Sequence, residues 1–364
     1  MKKITLSIVL LLSGIAFAQI PSGYYSTATG TGFVLKTQLH NIIKNHIDNT
    51  YGGLYTTYQT SDVKPNGSVW DMYTNCDFIF GTVANGGQQD NGTNVTAECQ
   101  LFNREHTIPQ SYFGSGAVPM YSDAHFVLPA DKKVNATRDD FPYGVVVNAT
   151  YTSNNGAKLG NNLNSGYSAG YTGTVFEPAD QYKGDIARLM FYFATRYEDL
   201  LTSFYSSTST AKVMFDGTSN HSFSTTFLKI FITWHNNDPV SPKEIARNNA
   251  IYARQNNRNP FIDHPEYVCQ IWSVECTALS SASFLTDDAV NIYPNPTNGN
   301  QVSIQTNETI TKLALINING QIIKEINNPT FVNQVYELAN LPQGFFLLQL
   351  SSDKGNVTKK IIVN

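Results

Sequence analysis

Between Cys99 and Arg138 the chain places a carboxylate, Glu105, beside an imidazole, His106, and later an amide, Asn135. Oxygen donors on Glu105 and Asn135 suit a hard divalent cation, and a neutral imidazole suits deprotonation of water. Together they meet the needs of metal-assisted phosphodiester hydrolysis. Two protein ligands leave room for water and phosphate, which favours Mg2+, with Mn2+ or Ca2+ as alternatives. Arg104, Lys132, Lys133 and Arg138 supply positive charge around them, the kind a nucleic-acid phosphate needs locally.

Each feature also has a bland reading: a surface ion pair, a solvated amide, a charged helix face. What favours a site is their order, strand, loop, strand, helix. Neighbouring side chains on a regular strand point to opposite faces, so aiming both Glu105 and His106 at one ion requires a twist or bulge, for which Pro109 makes room. The stretch from Asp131 to Asp140 reads as a short helix carrying Asn135, with Arg138 about a turn beyond on the same face.

At 364 residues the length favours two domains, and 41% hydrophobic with 14% charged residues excludes a largely disordered chain. Lys2-Lys3, an apolar run from Ile4 to Ile15 and Ala16-Phe17-Ala18 form a secretory signal peptide over residues 1–18. No later run is long and apolar enough to span a bilayer, so the expectation is an exported protein with no transmembrane span. Export makes disulfides expected among Cys76, Cys99, Cys269 and Cys276. Three pairings are possible, Cys76–Cys99 with Cys269–Cys276 being the first expectation. The formal charge is −4, and residues 19–280 hold 17 basic against 22 acidic residues, a net of −5. A positive field for nucleic acid must therefore be local.

Elsewhere, spacing predicts a helix from Phe33 to Ile47, on which His40 and His46 would be solvated. Residues 51–98 read as loops and short strands, and 148–170 as a long surface excursion. Ile186, Leu189, Met190, Phe193 and Tyr197 mark a strong helix over 184–201, and Ser241-Pro-Lys-Glu244 is a capping box opening another. After a Ser-rich linker from Ala278 to Ser283 the pattern becomes alternating, with a hairpin signal at Asn319-Gly320. The fold class expected is α+β, mainly helical over residues 19–280, followed by a small all-β sandwich-like domain over 285–364.

The stretches Asn-Arg-Glu-His-Thr-Ile-Pro-Gln-Ser-Tyr-Phe (103–113), Asp-Ala-His-Phe-Val-Leu-Pro-Ala-Asp-Lys-Lys-Val-Asn-Ala-Thr-Arg (123–138), Gly-Asp-Ile-Ala-Arg-Leu-Met-Phe-Tyr (184–192), Asp-Pro-Val-Ser-Pro-Lys-Glu-Ile-Ala-Arg-Asn (238–248) and Gln-Asn-Asn-Arg-Asn-Pro-Phe-Ile-Asp-His-Pro (255–265) resemble the bacterial endonuclease I family. The resemblance spans roughly residues 33–272. It implies a ββα-metal (His-Me finger) core and a sequence-nonspecific endonuclease cutting DNA, and in many members RNA, to 5′-phosphorylated products with magnesium. It assigns His106 as general base, Glu105 and Asn135 as metal ligands, and a carbonyl near Tyr121 as the group orienting the imidazole. Arg104 or Arg138 would replace an arginine that some members carry in the loop between Phe113 and Asp123, which is short here. Lys183 stands where arginine is common, and the difference is expected to be neutral or structural.

The tail, from Asn291-Ile-Tyr-Pro-Asn-Pro-Thr-Asn-Gly299 to Lys359-Lys-Ile-Ile-Val-Asn364, resembles the sorting domain of type IX secretion cargo in Bacteroidetes. That implies the secretion machinery as a partner and a secreted or surface location; separately, a monomer is expected. The alternatives are a surface-binding β-sandwich for the tail and, for the whole, an extracellular adhesion protein with an inactive nuclease-like core. A zincin or a serine hydrolase is not expected, and His125, His235 and His264 are expected to serve packing.

Overall fold

The computed structural model describes residues 20–281, 289–352 and 355–364, so the expected signal peptide lies outside the described residues. In chain order the elements are α1 (Gly32–Ile43), α2 (Leu54–Ser61), β1 (Phe102–His106), α3 (Gln110–Phe113), β2 (Val127–Asp131), α4 (Lys132–Arg138), β3 (Val146–Thr152), β4 (Lys158–Asn162) and β5 (Thr174–Glu177). Helices α5 (Lys183–Arg196), α6 (Leu201–Phe204), α7 (Thr225–Asn237), α8 (Pro242–Gln255), α9 (Pro260–Asp263), α10 (Tyr267–Ile271) and α11 (Ser273–Ser281) follow. Two units form: one from residues up to 163 with 171–275, the other from 164–170 with 276–364.

Helix α5 is the core of the first unit. Its apolar positions recur as expected, but burial extends to every residue from Gly184 to Arg196, the mark of a helix surrounded on all sides. Its Arg188 is buried and meets Glu244 through Nε and Nη2, the latter at 2.8 Å. Glu244 also completes the capping box with Ser241 at the start of α8. One carboxylate thus caps α8 and neutralises a guanidinium that burial would otherwise penalise heavily.

Several local expectations are corrected. Helix α1 stops at Ile43, leaving Ile47 exposed. His40 faces inward, with Nδ1 3.0 Å from the Thr195 carbonyl, because α5 ends there with free carbonyls to satisfy. Past the helix end, His46 Nδ1 accepts from Arg196 Nε at 3.1 Å. Within 51–98 a helix, α2, forms with Leu54, Thr57, Tyr58 and Ser61 inward, a helical stripe concealed by its polar members. The stretch 148–170 carries most of β3 and all of β4, which with β5 form a β3-β4-β5 meander whose first strand is mostly exposed and so lacks apolar alternation. The presumed linker is helical through Ser281.

Strands β1 and β2 pair antiparallel in unbroken register from Phe102↔Asp131 to His106↔Val127. The bulge expected at Glu105-His106 is absent.

In the second unit, β6 (Val290–Tyr293), β7 (Val302–Thr306) and β10 (Val335–Leu338) form one sheet, in the order β10-β7-β6. Strands β8 (Ile310–Asn317), β9 (Ile322–Asn327), β11 (Gly344–Ser352) and β12 (Gly355–Val363) form the other, in the order β12-β11-β8-β9. Inward residues of both sheets, among them Val302, Ile304, Leu313, Leu348 and Ile361, share one apolar cluster. The β8-β9 turn closes at Gly320, whose φ of 81° is left-handed backbone that glycine adopts without strain. Among the described residues no helix is long and apolar enough to cross a membrane.

Candidate active site

Strand β1 ends at His106, and Pro109 then turns the chain into α3, whose first residue is Gln110. After a single-turn helix at Met120–Ser122, β2 returns alongside β1 and leads straight into α4. That entry is fixed by Asp131, whose Oδ1 accepts from the Lys133 and Val134 amides at 2.7 and 3.0 Å. Its Oδ2 accepts from the Cys99 amide at 2.6 Å. Satisfying the first amides of a helix with a carboxylate defines where the helix starts. Asn135 and Arg138 consequently stand over β1.

A cleft of about 350 Å³ opens here, lined by Asn103, Glu105, His106, Gln110, Asn135 and Arg138 among others. Glu105 and His106 both reach it from a regular strand because the cleft wraps the end of β1, where His106 is the last residue.

The His106 ring is held at both nitrogens. Nε2 lies 3.1 Å from the Tyr121 carbonyl, which can only accept, so Nε2 carries the proton. Nδ1 therefore keeps its lone pair, which faces the Gln110 Nε2 amide at 3.3 Å. Gln110 Oε1 accepts from the Gly116 amide at 3.3 Å, consistent with that amide orientation. Burial lowers the His106 pKa to about 4, partly offset by the Tyr121 carbonyl. The imidazole is neutral at neutral pH.

Glu105 is buried, and Oε1 accepts from Arg138 Nη1 and from Tyr73 OH, each at 2.9 Å. Burial drives its carboxyl up to about 7 against the opposing pull of Arg138 and Tyr73. Arg138 also donates to the His106 and Thr107 carbonyls at 2.9 and 2.8 Å and lies over the Tyr143 ring. Its fork thus holds the side chain of Glu105 and the backbone of His106 at once. Asn135 Nδ2 donates to Asn103 Oδ1 at 2.8 Å, which turns Asn135 Oδ1 the other way.

Among the described residues no three His, Cys, Asp or Glu side chains cluster as a metal site. What the cleft offers a cation is Glu105 Oε2 and Asn135 Oδ1, for which no protein donor occurs among the described residues. A hard, largely hydrated ion fits that donor set.

The predicted basic residues divide. Lys132 is tied to Asp90 at 2.7 Å and to the Thr93 carbonyl at 2.8 Å. Arg104 donates to the Tyr51 carbonyl at 3.0 Å and lies over the Tyr51 and Tyr55 rings. Lys133 is half-buried on α4, and Asp139 and Asp140 add carboxylates at the cleft rim. The other imidazoles lie outside the cleft: His125 against the Asn257 carbonyl, His235 against the Pro265 carbonyl, and His264 against Glu266. Lys183 pairs with Glu177 and Asp180, a structural role.

Sequence reasoning missed Tyr73, Tyr51, Gln110 and Asn103. Of these, Asn103 was findable, since it lies two residues before Glu105 on the same strand face. The sequence does contain one Gly-x-Ser-x-Gly spelling, Gly166-Tyr-Ser-Ala-Gly170. Its Ser168 is fully buried in a turn between two strands, not exposed on a strand-to-helix elbow, so the motif lacks the context a nucleophile needs.

All four cysteines are disulfide-bonded, Cys76 with Cys99 as expected.

A family model for endonuclease I matches residues 31–266, and one for the secretion system C-terminal sorting domain matches residues 291–364. The chain is 32% identical over 259 residues to an extracellular ribonuclease of Bacillus amyloliquefaciens, covering 68% of this chain and 78% of that protein. It is 33% identical over 261 residues to the extracellular ribonuclease of Bacillus subtilis (strain 168), with the same shares covered. These relatives are enzymes, which sets aside the inactive adhesion module. The strand pair and capped helix that gather Glu105, His106 and Asn135 all lie within the matched segment, and the chain belongs to the endonuclease I family, as a secreted nuclease that ends in a sorting domain.

Proposed function

We propose that this nuclease is a divalent-metal-dependent, sequence-nonspecific endonuclease of the His-Me finger type, hydrolysing DNA and RNA to 5′-phosphorylated products. The observation that carries the reading is the hydrogen bond from His106 Nε2 to the Tyr121 carbonyl, which leaves the Nδ1 lone pair, met by the Gln110 amide, on the cleft that Glu105 and Asn135 also line. With water in place of the Gln110 amide at Nδ1, His106 takes a proton from it as the oxygen attacks phosphorus; the P–O3′ bond breaks, and the 3′-oxygen leaves with the bonding pair and takes a proton from solvent water, giving a 3′-hydroxyl and a 5′-phosphate. The charge gathered on the imidazole is stabilised at Nε2 by the Tyr121 carbonyl. Glu105 and Asn135 would hold the ion, Mg2+ being favoured, which supplies Lewis-acid stabilisation of the phosphate and the departing oxygen.

The charge balance of the cleft supports a metal. Arg104 and Arg138 are engaged with protein groups, while Glu105, Asp139 and Asp140 line the cleft, so a phosphate entering it needs a further cation. Lys133, half-buried on α4, the helix that carries Asn135, is the basic side chain we assign to the flanking backbone. Contacts of that kind carry no base information, in keeping with a lack of sequence preference. RNA enters the reading through the extracellular ribonucleases that the chain resembles.

The organisation proposed is a signal peptide over 1–18, the catalytic domain over 19–280 and a sorting domain over 285–364 that engages the type IX secretion machinery, with release or surface attachment of a monomer. Incubating the protein with plasmid DNA and with RNA, with and without Mg2+ or a chelator, tests the activity. Degradation that stops on chelation and in His106→Ala is expected; undiminished activity in His106→Ala would overturn the base assignment.

A further inference from the structure

Arg104 carries the charge a phosphate would seek, yet its guanidinium is already part of a stack. Its central carbon lies 3.6 Å from the Tyr51 ring centroid. The Tyr121 ring lies 3.9 Å from the same centroid at an interplanar angle of 22°. Two planar groups that close to one centroid must occupy opposite faces, so Tyr51 is sandwiched. Tyr121 in turn lies nearly parallel to the His106 ring, at 9°, and its carbonyl accepts from His106 Nε2 at 3.1 Å.

The segment before Tyr51 grips the same turn a second time. Asp48 Oδ1 accepts from the Ser122 hydroxyl and, at 2.8 Å, from the Thr50 amide. Thr50 holds a left-handed φ of 64°, an unfavourable conformation for a β-branched residue that such contacts must enforce. Arg104 closes the arrangement by donating from Nη1 to the Tyr51 carbonyl at 3.0 Å.

We infer that Arg104 is a positioning residue for the catalytic base: through the Arg104-Tyr51-Tyr121 stack it fixes the carbonyl that orients His106, and it does not bind the substrate phosphate. The inference rests on the reading of His106 as the base. A flat, delocalised guanidinium can stack and donate simultaneously, whereas a lysine ammonium keeps the charge but cannot replace the plane.

The two roles separate in kinetics. Positioning predicts that Arg104→Lys and Arg104→Met each lose about 10- to 100-fold in kcat, the scale of a small misplacement of a reacting group. KM and the salt dependence of kcat/KM stay at their wild-type values. Tyr51→Leu follows the arginine variants, and Tyr51→Phe, which keeps the ring, retains most of the turnover. As a readout independent of turnover, the ¹⁵N imidazole signals of His106 show a single Nε2-protonated tautomer in the wild type and lose that definition in Arg104→Met. A raised KM with a shallower salt dependence in Arg104→Met would make Arg104 a phosphate ligand and overturn the proposal. Wild-type kcat in Arg104→Lys, or an unchanged His106 spectrum in Arg104→Met, would overturn it too. Failure of the base assignment itself shows elsewhere, as full activity in His106→Ala, and leaves the spectroscopic arm standing.

Discussion

Arg138 Nη1 lies 2.9 Å from Glu105 Oε1, with the two side chains 1% and 3% exposed. A buried ion pair adds little net stability against an apolar pair, but removal of one partner strands the other charge. Arg138→Ala therefore destabilises the protein by about 3–5 kcal/mol, read as a lower urea midpoint with the slope unchanged. It also lowers kcat, because the same guanidinium holds the carbonyls of His106 and Thr107. A loss of stability below about 1 kcal/mol, the range of exposed pairs, would show that Glu105 is satisfied without it.

The two pKa shifts in the cleft run in opposite directions, and activity should reveal both. His106, lowered to about 4, is already unprotonated above that pH and stays competent as a base through neutrality. Glu105, raised to about 7, holds a proton below that pH and gives it up when a cation binds. At limiting metal the acidic limb of the pH–rate profile should fall near 7, and saturating metal should draw it down toward 4. A limb that stays at one pH across a hundredfold range of metal would separate Glu105 from the ion.

How much of this was legible follows from how local each relationship is. Glu105 and His106 are neighbours, and Asn135 sits in the stretch from Asp131 to Asp140 that reads as a short helix, so motif and spacing reached them. Tyr73 and Tyr51 come to the site from residues that read as loop, and no periodicity marks a tyrosine whose partner lies 32 residues away. Helix α2 stayed hidden because threonine, tyrosine and serine fill its inner face beside Leu54. His40 looked solvated because the carbonyls it meets belong to the far end of α5. The missing bulge is a matter of geometry: the cleft wraps the end of β1, so opposite-facing side chains both reach it without distortion of the strand.

Asn135 and Asn103 form the arrangement that most directly tests the metal. Asn135→Ala removes a proposed ligand and should raise the metal concentration for half-maximal rate, with the plateau largely recovered at high metal. Asn103→Ala removes the acceptor that orients Asn135 and should weaken metal affinity by about 10- to 100-fold, the usual effect of losing an outer partner. His106→Ala should lower the plateau at every metal concentration. If Asn135→Ala behaves as His106→Ala does, Asn135 acts in the chemistry and not in holding the ion.

The Cys76–Cys99 disulfide should matter to turnover as well as to stability. Its Cys99 amide donates to the carboxylate that caps α4, and Tyr73, which holds Glu105, lies three residues before Cys76. Bridging residues 23 apart removes unfolded-chain entropy worth about 3 kcal/mol. Reduction, or Cys76→Ser with Cys99→Ser, should lower the unfolding temperature and also reduce kcat at temperatures where the protein is fully folded, because both anchors of the site loosen together. A double variant that unfolds earlier yet turns over at the wild-type rate below its transition would make the bond a staple for the chain and nothing more. A variant whose turnover is restored by excess metal would place the damage in the orientation of Asn135 and Glu105, since an intact base with poorly held ligands responds to metal concentration whereas a displaced base does not.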